Sequence, residues 1–551
     1  MNDFPNREAV MDAVQREQID SLFSSWSDSE GPGGALGIYR EGELIHARGY
    51  GAANLESAVP ITPSTVFHVA SLSKQFTAVV VGLLAREGRI CLDDDIRRHV
   101  PELPEGPPIT FRHIIHHTSG LRDQWDLLRL AGWRAADLKT TGDILWLASR
   151  QKALNFPTGT RYQYINTGYT LMAIAVERIT GRSLQAHAEE HLFAPLGMHH
   201  TCFQDDHRKL VRNRALAYSR EAGGPWKLNV PAYETIGPTG LLSTVEDFAR
   251  WERNFHSPTV GDVDFIRQLS QPGAFDDGRP LGYGFGLILG RYRGLPVAEH
   301  AGGDAGFASY FLRFPAQRLS VAIFCNAAEL RPGPLTRRIA DILLADHFEE
   351  GSAGDRQLPS WAGRAAGATD AASDTFEALT GLYRDTWSGT TLGLEARGGK
   401  LFLVPSTGGT YELLPAGPGC WRFPEVDAQC QFTPAQGDAP ARMKVTHAGQ
   451  TTALCERVEV PPRGPESLAE YAGTYRSEEL GVHYTFAVSG EALVLRREKF
   501  AEARVQFTSE DDGSTRSGDG LHLRFVRDSR GQVSGLLVSA ERAWNIHFAR
   551  A

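Results

Sequence analysis

Long hydrophobic runs are missing from this chain. The longest, Phe76–Ala85, is about half of the roughly 20 residues a membrane-spanning helix needs, so no membrane partner is expected. The opening residues Met1-Asn2-Asp3-Phe4-Pro5-Asn6-Arg7-Glu8 lack a basic cluster followed by an apolar stretch, which argues against a secretory signal. Basic charge is not in excess either. With 57 Lys+Arg against 66 Asp+Glu the net charge is −9, and a surface of that sign repels phosphate, so no nucleic-acid partner is expected. Cysteine is scarce. The six (Cys91, Cys202, Cys325, Cys420, Cys430, Cys455) are scattered without C-x-x-C spacing. They read as reduced thiols of a cytoplasmic protein, with no metal and no cofactor implied. What remains is ordinary for a globular protein, 42% apolar and 22% charged among 551 residues. At about 150 residues per domain this length suggests roughly two to four domains.

The first 350 or so residues mix helical and strand patterns. Ala35–Tyr39 and Leu44–Ala47 flank a polar turn and read as a β-hairpin. Ser71–Glu87 is apolar nearly all round, the mark of a helix buried in the centre of a domain. Thr167–Thr180 reads as a second helix, and Ser243-Thr244-Val245-Glu246 has the capping-box form at the head of a third. Leu319–Phe324 reads as a buried strand. Hairpins at both ends with helices between predict an α+β domain, an antiparallel sheet covered by helices, over residues 1–348. Residues 349–374 are rich in Gly, Ala, Ser, Asp and Pro and read as a linker. Beyond it Gly381-Leu382-Tyr383-Arg384 recurs as Gly473-Thr474-Tyr475-Arg476, and Gly398–Leu403 recurs as Gly490–Leu495 at the same offset. That repeat predicts two antiparallel β-barrels, 375–460 and 466–551, punctuated by Pro461-Pro462-Arg463-Gly464-Pro465.

Three short signals carry chemistry. Ser71-Leu72-Ser73-Lys74 places a hydroxyl and an amine three residues apart on one helix face, whereas Ser73 points elsewhere. A serine attacks only when a neighbour takes its proton, and a lysine that loses water on burial can do so. A second S-x-x-K, Ser149-Arg150-Gln151-Lys152, precedes no buried helix and reads as accidental. Tyr164-Ile165-Asn166 heads the helix at Thr167. Tyr164 is expected to hydrogen-bond Ser71 and relay its proton, and Asn166 to donate to a substrate carbonyl; the plain alternative is a packed tyrosine and a capping asparagine. His300-Ala301-Gly302 precedes Gly303-Asp304-Ala305-Gly306 and a strand-like run, and a small-residue strand edge lets a substrate backbone approach closely. A decoy, His447-Ala448-Gly449, lies in the barrel half without the Gly-rich continuation.

Taken in order with their flanks, these residues resemble the serine β-lactamase and penicillin-recognising hydrolase superfamily, in its class C-like and esterase branch. His117-Thr118-Ser119-Gly120-Leu121, Leu92–Asp95, Pro195–Met198 and Gly237–Leu241 look similar too, over residues 17 to 346. The resemblance implies acyl transfer through an acyl-enzyme, with Ser71, Lys74, Tyr164 and His300 catalytic and Asn166, Gly302 and Gly303 binding substrate. It implies an oxyanion hole from the backbone N–H groups of Ser71 and Gly303. One departure matters. β-lactamases and transpeptidases usually carry Lys where this chain has His300, and a neutral imidazole is a weaker carboxylate anchor. Peptidase, amidase or esterase chemistry is favoured instead.

A catalytic domain followed by two lipocalin-like barrels is similar to D-stereospecific aminopeptidases, in which a loop of the last barrel reaches the active site. Here Ser477-Glu478-Glu479-Leu480 is the expected loop. Hydrolases of linear peptides from cyclic-peptide breakdown look similar as well. The expected substrate is therefore a small peptide, amide or ester; a homodimer is left open. Carboxylesterase or acyltransferase action at the same site, and a catalytically silent scaffold or ligand-binding protein, are the alternatives. Metal catalysis is not favoured: His113-Ile114-Ile115-His116-His117 reads as packed and His187-Ala188-Glu189-Glu190-His191 as an exposed helix face, and neither is H-E-x-x-H.

Overall fold

Alternation along single strands sets the architecture of the N-terminal region in the computed structural model. It describes residues 11–26, 30–221, 224–348, 376–405, 410–417, 419–423, 428–436, 439–447, 450–459, 465–515 and 520–551. The expected linker 349–374, residues 461–464 of the Pro-rich punctuation, the opening residues 1–8 and residues 448–449 of the decoy lie outside them. In Gly34–Arg40 (β1), Ala35 and Tyr39 enter one core while Leu36 and Ile38 enter another. That is the two-residue period of a strand buried on both faces. β1 turns back at Glu41-Gly42, both at positive φ, into Glu43–Tyr50 (β2).

The rest of the sheet comes from far along the chain: Ile288–Tyr292 (β3), Leu295–Asp304 (β4), Phe307–Phe314 (β5) and Leu319–Cys325 (β6). The antiparallel order is β3-β4-β5-β6-β1-β2. Helices are Ala13–Ser21 (α1), Ser73–Arg86 (α2), Gln124–Leu130 (α3), Thr141–Ser149 (α4), Thr167–Thr180 (α5), Val245–His256 (α6) and Pro332–Leu343 (α7), with shorter turns between. α1 and α7 cover one sheet face, packing Ile19 and Ile339 with Leu36, Leu312 and Val321. α6 covers the other, where Phe248 stacks edge-on with Phe311 and Phe324. The α+β expectation holds in this layering. Two boundaries differ from the sequence reading. The expected helix from Ser71 begins as a 3-10 turn, Ala70–Leu72, before α2 starts at Ser73. The cap of α6 is Thr244, whose hydroxyl accepts from Asp247 N, rather than Ser243 paired with Glu246.

Both C-terminal repeats close into eight-stranded antiparallel barrels, from Gly381–Asp385 round to Gln450–Val458 and from Gly473–Ser477 round to Ile546–Arg550. Closure removes the exposed strand edges. The duplicated residues do the same work twice. Tyr383 and Tyr475 are buried and each donates to the carbonyl four residues back, Leu379 and Tyr471, at 3.0 Å. Gly381 and Gly473 adopt φ of 143° and 144°.

The second barrel shares a core with the N-terminal region. Leu127, Leu128 and Leu130 of α3 and Ile144 and Leu147 of α4 are buried with Tyr484, Leu493 and Phe548. At about 1.5–3 kcal/mol per large apolar side chain, this shared core makes the barrel part of one folded body. Arg122 and Glu479, both buried, form an ion pair across the same interface at 2.5 Å.

Candidate active site

The turn before α2 presents Ser71. Ala70 sits at φ 49°, a left-handed conformation that costs a non-glycine residue about 1–2 kcal/mol. Ser73 pins this turn, its hydroxyl donating to Ala70 O and accepting from Leu241 N at 3.0 Å. Ser71 is left half-buried, one helical turn before Lys74, which is fully buried. Lys74 Nζ lies 3.1 Å from Ser71 Oγ, 2.9 Å from Asn166 Oδ1 and 2.9 Å from the Pro238 carbonyl. The last two partners only accept, so they use both N–H bonds of a neutral amine and leave its lone pair for the serine proton. Burial pushes the Lys74 pKa well below the usual lysine value; Asp123 and Asp304 oppose this and Arg542 adds to it.

Asn166 has a different task from the one expected. Its side chain does not cap α5. Instead its Nδ2 and backbone N–H donate to Asp123 Oδ2 at 2.9 and 2.7 Å, while its Oδ1 holds the lysine. The amide therefore bridges Lys74 and Asp123. Asp123, the N-cap of α3, is completely buried.

The Tyr164 ring lies 4.7 Å from Lys74 Nζ and 5.9 Å, centre to centre, from the His300 ring. Its hydroxyl is buried and faces Ser71, without the close, aligned hydrogen bond expected between them. Burial raises the phenol pKa, and Ser71, the polar group it faces, pulls the other way. His117, at φ 59°, packs 4.4 Å behind the Tyr164 ring, and burial holds it neutral. His300 is buried in β4, with Nε2 3.0 Å from the Tyr283 hydroxyl. Gly302 lets β4 lie against the serine turn: a Cβ there would stand 2.4 Å from Val69 O and 3.2 Å from Ala70 Cβ. A Cβ on Gly303 would enter open space, on the exposed side of the strand.

A loop of the last barrel does reach this site, but not the expected one. Glu479 is spent on Arg122 and the Lys152 N–H, and Glu478 on Lys152 Nζ at 2.6 Å. The visitor is Ala540–Asn545, between the last two strands. Arg542 places its guanidinium 3.4 Å from Asp123 Oδ2, donates its N–H to Asp126 and accepts the Asp123 N–H at its carbonyl. Asp123, Tyr283 and Arg542 were missed in the sequence because each is a lone residue whose partner is distant in the chain.

The remaining motifs scatter. His113 meets Asp276, His116 meets the Tyr283 carbonyl and His117 accepts from Ile165 N, three separate partners. His187 is buried rather than exposed, with its ring 4.3 Å from that of His191. Ser149 donates to Trp146 O and takes no part with Lys152. Among the described residues one group of ligand-type side chains is compact enough for an ion, Asp206, His207 and Glu234, where His207 already bonds Glu234 at 2.6 Å. No helix among the described residues is long and apolar enough to cross a membrane.

The family profile described as Beta-lactamase matches residues 16–345. A D-aminopeptidase of Gluconobacter oxydans is 29% identical over 454 residues, covering 82% of this chain and 80% of that protein. A D-aminopeptidase of Brucella melitensis is 25% identical over 564 residues, covering all of this chain and 99% of that protein. Among solved structures, the octameric penicillin-binding protein homologue from Pyrococcus abyssi shares the fold at a TM-score of 0.56 and 21% identity, over 80% of this chain and 99% of that one.

Proposed function

The chain belongs to the Beta-lactamase family, and from that premise we propose that it is a serine hydrolase that cleaves the peptide or amide bond next to a D-residue with a free amino terminus. The observation that carries this reading is the Ser71–Lys74 contact at 3.1 Å, with the amine stripped of water and its two N–H bonds already committed. Full-length similarity to D-aminopeptidases supports the substrate class.

In this reading Ser71 Oγ attacks the carbonyl carbon and its proton passes to the lone pair of Lys74. The oxyanion is held by the N–H groups of Ser71 and Gly303, each worth roughly 10²–10³ in rate. As the C–N bond breaks, the leaving nitrogen takes a proton through the Tyr164 hydroxyl, resupplied from Lys74. Water then attacks the acyl-enzyme, giving its proton back along the same path, and the acid leaves. Such proton relay contributes about 10²–10⁴-fold. His300 holds the Tyr164 side of the site through Tyr283, and Asn166 holds Lys74. We place the chemistry in 1–348, with barrels at 375–460 and 466–551 shaping access, in a cytoplasmic enzyme.

The test is hydrolysis of D-alanyl, L-alanyl and N-acetyl-D-alanyl p-nitroanilides beside short p-nitrophenyl esters. Turnover of the D-alanyl amide, lost in Ser71→Ala, is expected. Rapid turnover of the esters alone would overturn the reading in favour of an esterase.

A further inference from the structure

β4 carries His300, Gly302 and Asp304 on one face at two-residue spacing, the face turned to the serine turn. The three positions divide the site. His300 marks the end where Tyr164 and Tyr283 gather, the end that serves the leaving group in the proposed reaction. Gly302 lies against Val69 and Ala70, beside the nucleophile. Asp304 lies at the opposite end, four residues along the strand from His300.

Asp304 is built into this position. Its Oδ2 accepts from the hydroxyls of Tyr233 and Thr239, the latter at 3.0 Å. Thr239 adjoins Pro238, whose carbonyl holds Lys74, which ties the carboxylate to the catalytic amine. Both bonds fall on one oxygen. Among the described residues no donor reaches Oδ1, no Lys or Arg pairs with the carboxylate, and the side chain is only half-buried. The cations around it, Lys139 and Arg214, act from a distance and form no ion pair with it among the described residues. Lys139 Nζ is spent on the carbonyls of Ala135 and Asp137 at 2.8 and 2.7 Å, and burial holds His68 neutral, with a pKa of about 4. Trp125 packs on Tyr233, the rings 5.5 Å apart. A fixed, accessible carboxylate in no ion pair, with one oxygen left without a donor, is matched by an ammonium.

We propose that Asp304 is the specificity-determining residue for the substrate's amino terminus, its Oδ1 accepting from a protonated α-amine while Ser71 attacks the adjoining carbonyl. This rests on the reading of Ser71 as the nucleophile. It assigns the substrate class as peptides or amides of free amino acids, because an acylated amine brings no charge to Asp304.

Two substrates that differ only in the amine test it: D-alanyl p-nitroanilide and propionyl p-nitroanilide, with full-length wild type and Asp304→Asn. Asp304→Asn should lose about a hundredfold in kcat/KM on the amino substrate, mainly through KM, and stay within about threefold of wild type on the propionyl substrate. Equal losses on both substrates, or no loss on either, overturn the proposal while leaving the hydrolase reading intact. No hydrolysis of any amide by wild type overturns both. A second measurement needs no variant. n-Propylammonium should protect wild-type Ser71 from a fluorophosphonate probe at concentrations where n-propanol does not, and equal protection by the two overturns the proposal.

Discussion

Arg542, carried by the last turn of the second barrel, sets its guanidinium 3.4 Å from the buried carboxylate of Asp123 in the catalytic region. Asp123 in turn fixes Asn166, and Asn166 fixes Lys74. A barrel residue therefore acts on Lys74 without touching it. The cation of Arg542 disfavours a second positive charge on Lys74. Removing it raises the Lys74 pKa, so a larger share of the amine is protonated at a given pH. In Arg542→Met the acid limb of the kcat/KM profile is expected to move to higher pH, which a pH–rate series on one chromogenic amide checks. An unmoved limb would disconnect Arg542 from the base.

Lys74 itself makes a paired prediction about rate and stability. Lys74→Met should lower kcat by about 10²–10⁴-fold, the usual weight of a general base. It should also raise the melting temperature near neutral pH. The folded-state pKa is depressed, so between it and the ordinary lysine value the unfolded chain binds the extra proton. Wild-type stability therefore rises with pH across that window and is penalised below it, and Met carries no such penalty. Calorimetry of the two proteins between pH 6 and 9, about neutrality, reads this directly.

Gly302 tests the closeness of β4 to the serine turn. In Gly302→Ala the new methyl would stand 2.2 Å from Ser309 Oγ and 2.4 Å from Val69 O. Overpacking of this kind costs about 1–3 kcal/mol. Activity should fall further than stability, since the strand and Ser71 must separate. Chemical denaturation with kcat/KM on the same samples distinguishes the two effects.

Glu479 tests the interface. Glu479→Ala leaves Arg122 buried without its partner, which costs about 3–5 kcal/mol. The loss should appear as a lowered denaturation midpoint. Activity should fall with it, because Arg122 adjoins Asp123. Arg150→Ala, which removes bonds from exposed side-chain nitrogens to the Glu478 carbonyl, should change stability far less.

Much of this molecule is legible in its sequence, for reasons that differ by part. The sheet and helices declare themselves because β1 alternates between two cores and α2 is buried nearly all round. The barrels are readable through duplication, since Tyr383 and Tyr475 make the same bond in each copy. Ser71 and Lys74 are readable because one helical turn joins them. Distant pairings are not. Nothing local in Arg542 points to Asp123, and the acids at Glu478 and Glu479 invite an active-site role that Arg122 and Lys152 already occupy. The partners of Asn166, Lys74 and Asp123, are not legible either, because a side chain's bonds depend on which buried group lies nearest in space.

The account stands or falls on Ser71 as a nucleophile served by an uncharged Lys74. Its most direct test is fluorophosphonate labelling followed by peptide mass spectrometry across pH, in wild type and Lys74→Met. The adduct should lie on Ser71, and its rate of formation should titrate well below the ordinary lysine range and collapse in Lys74→Met. An adduct on another residue, or labelling of Ser71 at the same rate without the amine, would contradict it.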